Sequence, residues 1–334
     1  MSDVSWRDAD RGRTVVLRQG LLAVAPEILA ENGWEEFELL STERALADAP
    51  GLADAAARTH LVPSGPVPEA AASVLDEVGS ERLVAHGGGR VIDSAKAIAA
   101  VRQGEVAAIP TTLSGAPMTA IHRLPAGHQG YGGVRPALVL ADPEAMTSLP
   151  EPELRATAMN ALAHGAESLY TPIADETSRD AALRGAELIA RSLESAPGER
   201  DRSELALGAL LCASAVDRAG IALHHVLGQT VVRVCGTPHA ETYAALLPVT
   251  MDAMSERAPE QIAALAAAIG AEPDRIEDRI VELAGGRRGL GELGADPACV
   301  DEALDVAMSR PELFHMTPGE VERDHLRDVL QRAW

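Results

Sequence analysis

Up to residue 142 the chain switches repeatedly between two spacings of apolar residues. The runs TVVLR (14–18), FELLST (37–42), RTHLVP (58–63), RLVAH (82–86), VAAIP (106–110) and ALVLAD (137–142) are short and apolar, most with β-branched residues, and predict strands. Between them LLAVAPEILAENG (21–33), PEAAASVLDEVG (68–79) and SAKAIAAVRQG (94–104) repeat apolar residues near every 3.6 positions and close on glycine, which predicts helices with a glycine stop. Strand and helix in alternation imply a mostly parallel sheet covered by helices on both faces. Such sheets take ligands at the carboxyl ends of their strands.

After Asp142-Pro143 the strand signals stop. Helical spacing runs over 151–170, 176–196, 201–217, 220–234, 239–256, 258–269, 274–285 and 319–333, with Pro or Gly in the connections. The change of period predicts an α/β domain over residues 1–150 and an all-helical domain over 151–334, with no internal repeat.

Composition narrows the class. Of 334 residues 46% are hydrophobic but only 2% aromatic, so Ala, Leu and Val must fill the cores. A net charge of −21 with no basic block argues against nucleic acid as a partner. No apolar run reaches the roughly 18 residues of a membrane span, and the N-terminus lacks an apolar leader, so a cytoplasmic protein without a membrane partner is expected. Cys212, Cys235 and Cys299 are odd in number and widely spaced, so neither a disulfide framework nor a zinc knuckle is expected. Among 29 basic residues Lys96 is the one lysine, and it falls inside the most informative motif.

That motif is LVAHGGGRVIDSAKAIAA (83–100), a strand, three glycines and a helix. Gly87, Gly88 and Gly89 permit a sharp turn and close approach of a ligand, and the free N–H groups of the helix start favour phosphate. A tight turn with no ligand has the same spacing. Asp93 and Lys96, three apart on the helix, read either as a surface ion pair or as groups beside the ligand. IPTTLSGAPMT (109–119) then places Thr111, Thr112, Ser114 and Thr119 at the end of the next strand, suited to phosphate and ribose or to an ordinary polar loop.

The segment AGIALHHVLGQTVVRVCGTPHAET (219–242) holds His224, His225 and His239, with Gln229 one helical turn after His225. His224 projects about 100° away from His225 around a helix and reads as a core residue. GGGRVIDSAK, PTTLSGAPMT, AMNALAHGAESLY (158–170), GIALHHVLGQTVVR (220–233), TPHAETYAALLP (237–248) and VLQRAW (329–334) together resemble the iron-containing alcohol dehydrogenase superfamily, which has the dehydroquinate synthase-like fold, and within it the maleylacetate reductase branch. The resemblance runs in order from about residue 13 to the end. It implies a dinucleotide-binding α/β domain followed by a helical substrate and metal-site domain, with NADH or NADPH as cofactor.

Carried over residue by residue, the resemblance puts the metal-ligand positions at Asn160, His164, His225 and His239. Asn160 stands where metal-dependent members have Asp, so iron or zinc is allowed but poorly favoured. Gly87, Gly88, Gly89, Asp93, Lys96, Thr111, Thr112 and Ser114 fall in the cofactor loops. Ser41 and Thr42 replace the acidic residue of NAD-selective relatives, so a 2′-phosphate is not repelled. His225, Gln229 and His239 fall at the reacting centre. Gln229 replaces a family histidine that relays a proton; an amide bonds but does not titrate. Val226 replaces a family lysine and Pro117 a family glutamate. If the helix runs past Val232, Arg233 shares a face with His225 and Gln229, where it could pair with an anionic substrate or merely offset the helix dipole. The expected function is an NAD(P)H-dependent reductase of a small polar carbonyl or enone with an altered pocket, acting as a homodimer. The alternatives are a lyase or cyclase on the same fold, or a catalytically silent nucleotide-binding homologue.

Overall fold

A computed structural model describes residues 3–130 and 132–334. The chain forms two compact units that divide between Leu149 and Pro150.

The first unit holds seven strands: β1 (Val4–Asp8), β2 (Arg13–Leu17), β3 (Glu38–Ser41), β4 (Arg58–Leu61), β5 (Arg82–Gly87), β6 (Glu105–Pro110) and β7 (Leu138–Ala141). Its helices are α1 (Ala25–Glu31), α2 (Glu43–Asp48), α3 (Pro50–Ala55), α4 (Val67–Leu75), α5 (Gly89–Arg102) and α6 (Pro143–Met146). The strands lie in the order β1-β2-β7-β6-β5-β3-β4; β1 runs antiparallel to β2 and the other pairings are parallel. The six strands expected from the sequence are present. The additional β1 is an edge strand whose alternating half-buried and exposed positions, VSWRD, left no apolar run to detect.

Alternate residues of the central strands feed opposite faces, as the period of two requires. Leu40, Leu83 and Ala85 pack with Ala71, Ile92, Ala95 and Ile98 of α4 and α5. Leu39 and Val84 pack on the other side with Leu29, Trp34, Phe37 and Leu52. Register pairs Gly87 with Pro110 and Leu40 with Ala85, so the loops leaving β3, β5 and β6 emerge side by side. The helix stop after α5 departs from expectation: Gln103 takes the left-handed position at φ 59°, and Gly104 is needed because a Cβ there would meet the Glu81 carbonyl oxygen at 2.5 Å.

The second unit is helical: α7 (Glu151–Tyr170), α8 (Glu176–Glu194), α9 (Arg202–Ala219), α10 (Leu223–Cys235), α11 (His239–Met254), α12 (Pro259–Ala268), α13 (Ile276–Ala284), α14 (Val300–Met308), α15 (Pro311–Met316) and α16 (Arg323–Arg332). The short α14 and α15 were not expected from the pattern. At the centre α7, α8 and α9 approach closely through small residues. A Cβ on Gly165 or Gly185 would lie 2.8 or 2.6 Å from the Cys212 sulfur. Burial pushes that thiol up to about 12, so it stays protonated and serves as packing. The expectation about cysteines is corrected in one respect. Cys235, at the end of α10, is bonded to Cys299, a bridge across a sequence separation of 64. Wide spacing gave no sign of the pair because the connection is made by tertiary packing of α10 on α14. Among the described residues no single helix is long and apolar enough to cross a membrane.

Candidate active site

The glycine motif is built as a ligand cradle. Gly87 ends β5, Gly88 caps α5 and no side chain fills the cap. Each glycine is in close contact. A Cβ on Gly87 would meet Val91 at 2.8 Å, on Gly88 Thr112 at 3.2 Å, and on Gly89 the Ser114 hydroxyl at 2.9 Å. The Thr111 amide donates to the Gly87 carbonyl at 3.0 Å and locks the two loops together. The hydroxyl oxygens of Thr112 and Ser114 are buried and have no hydrogen-bond partner among the described residues. An unsatisfied buried hydroxyl costs about 1–3 kcal/mol, so two beside an uncapped helix start mark a place for an external polar group.

The other residues expected around the cofactor have structural partners. Lys96 is fully buried, and its ammonium donates to Asp93 Oδ1 at 2.7 Å and to the carbonyls of Ala116 and Ile121 at 3.1 and 2.7 Å. The pair is therefore no surface ion pair; it ties α5 to the loop after β6. Ser41 is buried and donates to the His86 carbonyl at 2.8 Å, while Thr42 caps α2 by accepting from the Ala45 amide at 3.3 Å. Thr119 is buried at the end of the hydroxyl-rich loop.

In the second unit the histidines cluster around α7, α10 and α11. The His164 and His225 rings stack with centroids 4.6 Å apart. Tyr243 lies 5.0 Å from His225 and 4.5 Å from His239. Gly228 allows this approach, since a Cβ there would meet the Tyr243 ring at 2.8 Å. His239 itself is exposed at the first position of α11.

The residue that organises the cluster was not singled out in the sequence. Glu167 on α7 is fully buried; it accepts from the backbone amides of His224 and His225 at 2.7 and 3.2 Å and from His225 Nδ1 at 2.5 Å. Burial by itself would raise its carboxyl, but the charge and hydrogen bond of His225 outweigh that and leave it lowered, hence ionised. Its position in AHGAES, one turn after His164 on the buried face of a helix, was the available signal. Burial pushes His224 down to about 3, and its Nδ1 lies 2.9 Å from Thr250 Oγ1, so it is a neutral core histidine. Burial likewise holds His164 well below the usual histidine range, with His225, His224 and His239 adding to the shift.

With Nδ1 bound to Glu167, His225 presents Nε2. That nitrogen, His164 Nδ1 and Asn160 Oδ1 are all buried without a partner. As a divalent-metal site the set falls short. Asn160 brings no charge, and among the described residues no group of three or more His, Cys, Asp or Glu is arranged to hold a metal ion. As a pocket for a substrate oxygen and its neighbours it offers donor and acceptor together.

Gln229 is half-buried, and its side-chain oxygen accepts from Arg310 Nη1 at 2.8 Å. The helix does run past Val232, to Cys235, but Arg233 is exposed in its last turn. The guanidinium that meets the His225 face is therefore Arg310, from the segment between α14 and α15, which the sequence pattern left unassigned. A separate open groove of about 480 Å³ in the first unit is lined by Glu69, His122, Arg123 and His128 among others and contains none of these residues.

Residues 155–334 match the Fe-containing alcohol dehydrogenase family, C-terminal. The chain is 33% identical over 266 residues to maleylacetate reductase 1 of Rhodococcus opacus, covering 75% of this chain and 72% of that one. It is 29% identical over 347 residues to the maleylacetate reductase of Rhizobium sp. (strain MTP-10005), covering 96% and 95%. The crystal structure of maleylacetate reductase from Agrobacterium tumefaciens superposes with a TM-score of 0.85 at 28% identity, covering 100% of this chain and 98% of that one. With the order of motifs, the two-unit architecture and these similarities in agreement, the chain belongs to the iron-containing alcohol dehydrogenase family and is an oxidoreductase of its maleylacetate reductase branch.

Proposed function

We propose that the protein uses NADH or NADPH to reduce the carbonyl, or the keto form of an enone, of a small polar substrate. The observation that carries this is the buried group of unpartnered polar atoms, Asn160 Oδ1, His164 Nδ1 and His225 Nε2, beside a carboxylate that fixes the His225 ring. The reduced nicotinamide, when bound, supplies the hydride. Gly87, Gly88 and Gly89 with the α5 N-terminus would receive the pyrophosphate, and Thr112 and Ser114 would donate to it. Ser41 and Thr42 present no carboxylate against a 2′-phosphate, which supports use of either nucleotide. Asp93 and Lys96 would act by holding the loop that carries Ala116, and Thr111 by joining the two loops.

On the substrate side His164 is neutral and its ring nitrogen is free to bond the carbonyl oxygen. The Glu167 carboxylate accepts from Nδ1–H behind the ring and orients Nε2, which would carry the proton to be transferred. Transfer of that proton to the nascent alkoxide yields the alcohol and leaves His225 neutral, with its Nδ1–H still bound to Glu167. Gln229 cannot supply the proton. His239, exposed and tilted against Tyr243, would border the substrate without completing a tight metal site. A homodimer is proposed on the family resemblance and is tested by light scattering.

The decisive assay follows loss of reduced-nicotinamide absorbance with maleylacetate, the substrate for which the relatives are named, and with a panel of oxo acids and aldehydes. Turnover with one or more of them is expected, as is quenching or enhancement of nucleotide fluorescence on binding. Folded protein that binds neither NADH nor NADPH would rule the assignment out.

A further inference from the structure

We propose that Arg310, oriented by Gln229, is the residue that receives an anionic group of the substrate, a carboxylate in the simplest case. This rests on the reductase assignment for its setting and adds the chemistry that selects the substrate. Gln229 is thereby a positioning residue, and its amide is explained as a partner for a cation rather than as a defective proton donor.

Three observations place the guanidinium. Gln229 lies one turn after His225 on α10, so its side chain shares the face that presents His225. Its oxygen holds Arg310 Nη1 at 2.8 Å. Arg310 also acts on Tyr243, the ring packed between His225 and His239: burial and Glu167 push that phenol up, and the Arg310 charge opposes them. The Arg310 charge is thus felt at the ring that borders His225 and His239.

The group is ion-paired with Glu312 but is not enclosed. Its carboxylate neighbour, Glu312, touches Nη2 at 3.3 Å with a side chain that is 45% exposed, and the Arg310 side chain is 23% exposed. Nη1 goes to a neutral amide, which fixes direction without cancelling charge. Nη1 is held by Gln229 and Nη2 by the exposed Glu312, and a substrate carboxylate would displace the Glu312 side chain to take two parallel bonds from the guanidinium. Arg233, the cation expected from the sequence to do this, is exposed at the helix end. Val226, where the family lysine would be, is fully buried. A cation supplied from the segment after α14 replaces the one lost from α10.

The test uses maleate, an unreactive dicarboxylate, titrated calorimetrically into the full-length protein, with circular dichroism confirming that each variant is folded. Arg310→Met is expected to weaken maleate binding by about thirtyfold or more, with Arg310→Lys recovering part of the loss. Gln229→Ala is expected to raise KM for maleylacetate by about tenfold with kcat within about threefold, because orientation is lost and not the charge. Gln229→Glu would hold the guanidinium but cancel its charge, and is expected to weaken maleate binding more than Gln229→Ala does. Arg233→Ala should leave maleate affinity unchanged. Maleate affinity of Arg310→Met within twofold of wild type would overturn the proposal, as would an equal loss in Arg233→Ala. Wild type that binds maleate through Arg310 yet oxidises neither NADH nor NADPH with any carbonyl substrate sustains this subsite and defeats the reductase assignment instead.

Discussion

Replacing Glu167 tests whether one buried carboxylate sets the state of His225, the proposed proton donor. Glu167 accepts four hydrogen bonds, from the amides of His224 and His225, from His225 Nδ1 and, at 3.3 Å, from the Tyr170 hydroxyl. Truncation to Ala strands buried donors and breaks a buried charged pair, for which a loss of about 3–5 kcal/mol is expected. Against a total stability of roughly 5–15 kcal/mol that variant is marginal, so the informative change is Glu167→Gln. Its amide oxygen still accepts from the two backbone amides, and the stability loss should be about 1–3 kcal/mol by urea titration. Its NH2 group, however, faces His225 Nδ1, which must then become the acceptor. The ring proton moves to Nε2, and the Nδ1-protonated imidazolium loses its counter-charge. A comparable carboxylate-to-amide change behind a catalytic histidine costs on the order of 10⁴ in kcat where the tautomer is decisive. Here a fall of about 10²–10⁴ is expected, with nucleotide affinity unchanged. Histidine-selective 15N NMR should show protonation exchanged between the two nitrogens. A Gln variant with kcat within threefold of wild type, or with its tautomer unchanged, would refute the reasoning.

Other expectations follow from the same structure. His224, held down to about 3 by burial, and His164, also lowered, resist protonation that the unfolded chain accepts below about 6.5; stability is therefore full above pH 6.5 and declines as pH falls, by about 2 kcal/mol at pH 5 for His224 alone, and a denaturation midpoint flat from pH 7 to 5 contradicts this. Because the Thr112 and Ser114 hydroxyls have no partner among the described residues, Thr112→Val and Ser114→Ala should leave thermal stability unchanged while weakening NADH binding by about tenfold each, read by nucleotide fluorescence. Replacing both Cys235 and Cys299 by Ser opens a loop of 64 residues and should cost about 4 kcal/mol of stability, with the wild type losing the same amount on reduction. Protein dialysed against a weak chelator should carry less than one equivalent of iron or zinc, and Asn160→Asp should raise the retained metal, measured by elemental analysis; no increase would mean that Asn160, His164 and His225 do not converge on one ion.

The alternation of strand and helix spacing was enough to locate six strands and the three long helical runs of the first unit, because burial on a covered parallel sheet selects residue type directly. The glycine loop was legible for a similar reason: a Cβ on Gly87 or Gly89 would come within 3 Å of Val91 or Ser114, so the constraint is written in residue identity. His225 and His239 were singled out through the family resemblance, and Gln229 by its departure from the family pattern. Other features came from packing. Glu167 looks like one more polar residue of a helix until α10 lays two amides and an imidazole against it. Lys96 and Asp93 pass for a surface pair until the loop of Ala116 and Ile121 closes over them. The Cys235–Cys299 bond and the Arg310–Gln229 contact join residues 64 and 81 positions apart, through α14 and α15, short helices with too few turns to leave a clear period. Local periodicity records which face of an element is buried. Which charge meets which partner is decided by contacts distant in sequence, and in this protein those contacts determine how His225 and Arg310 are held.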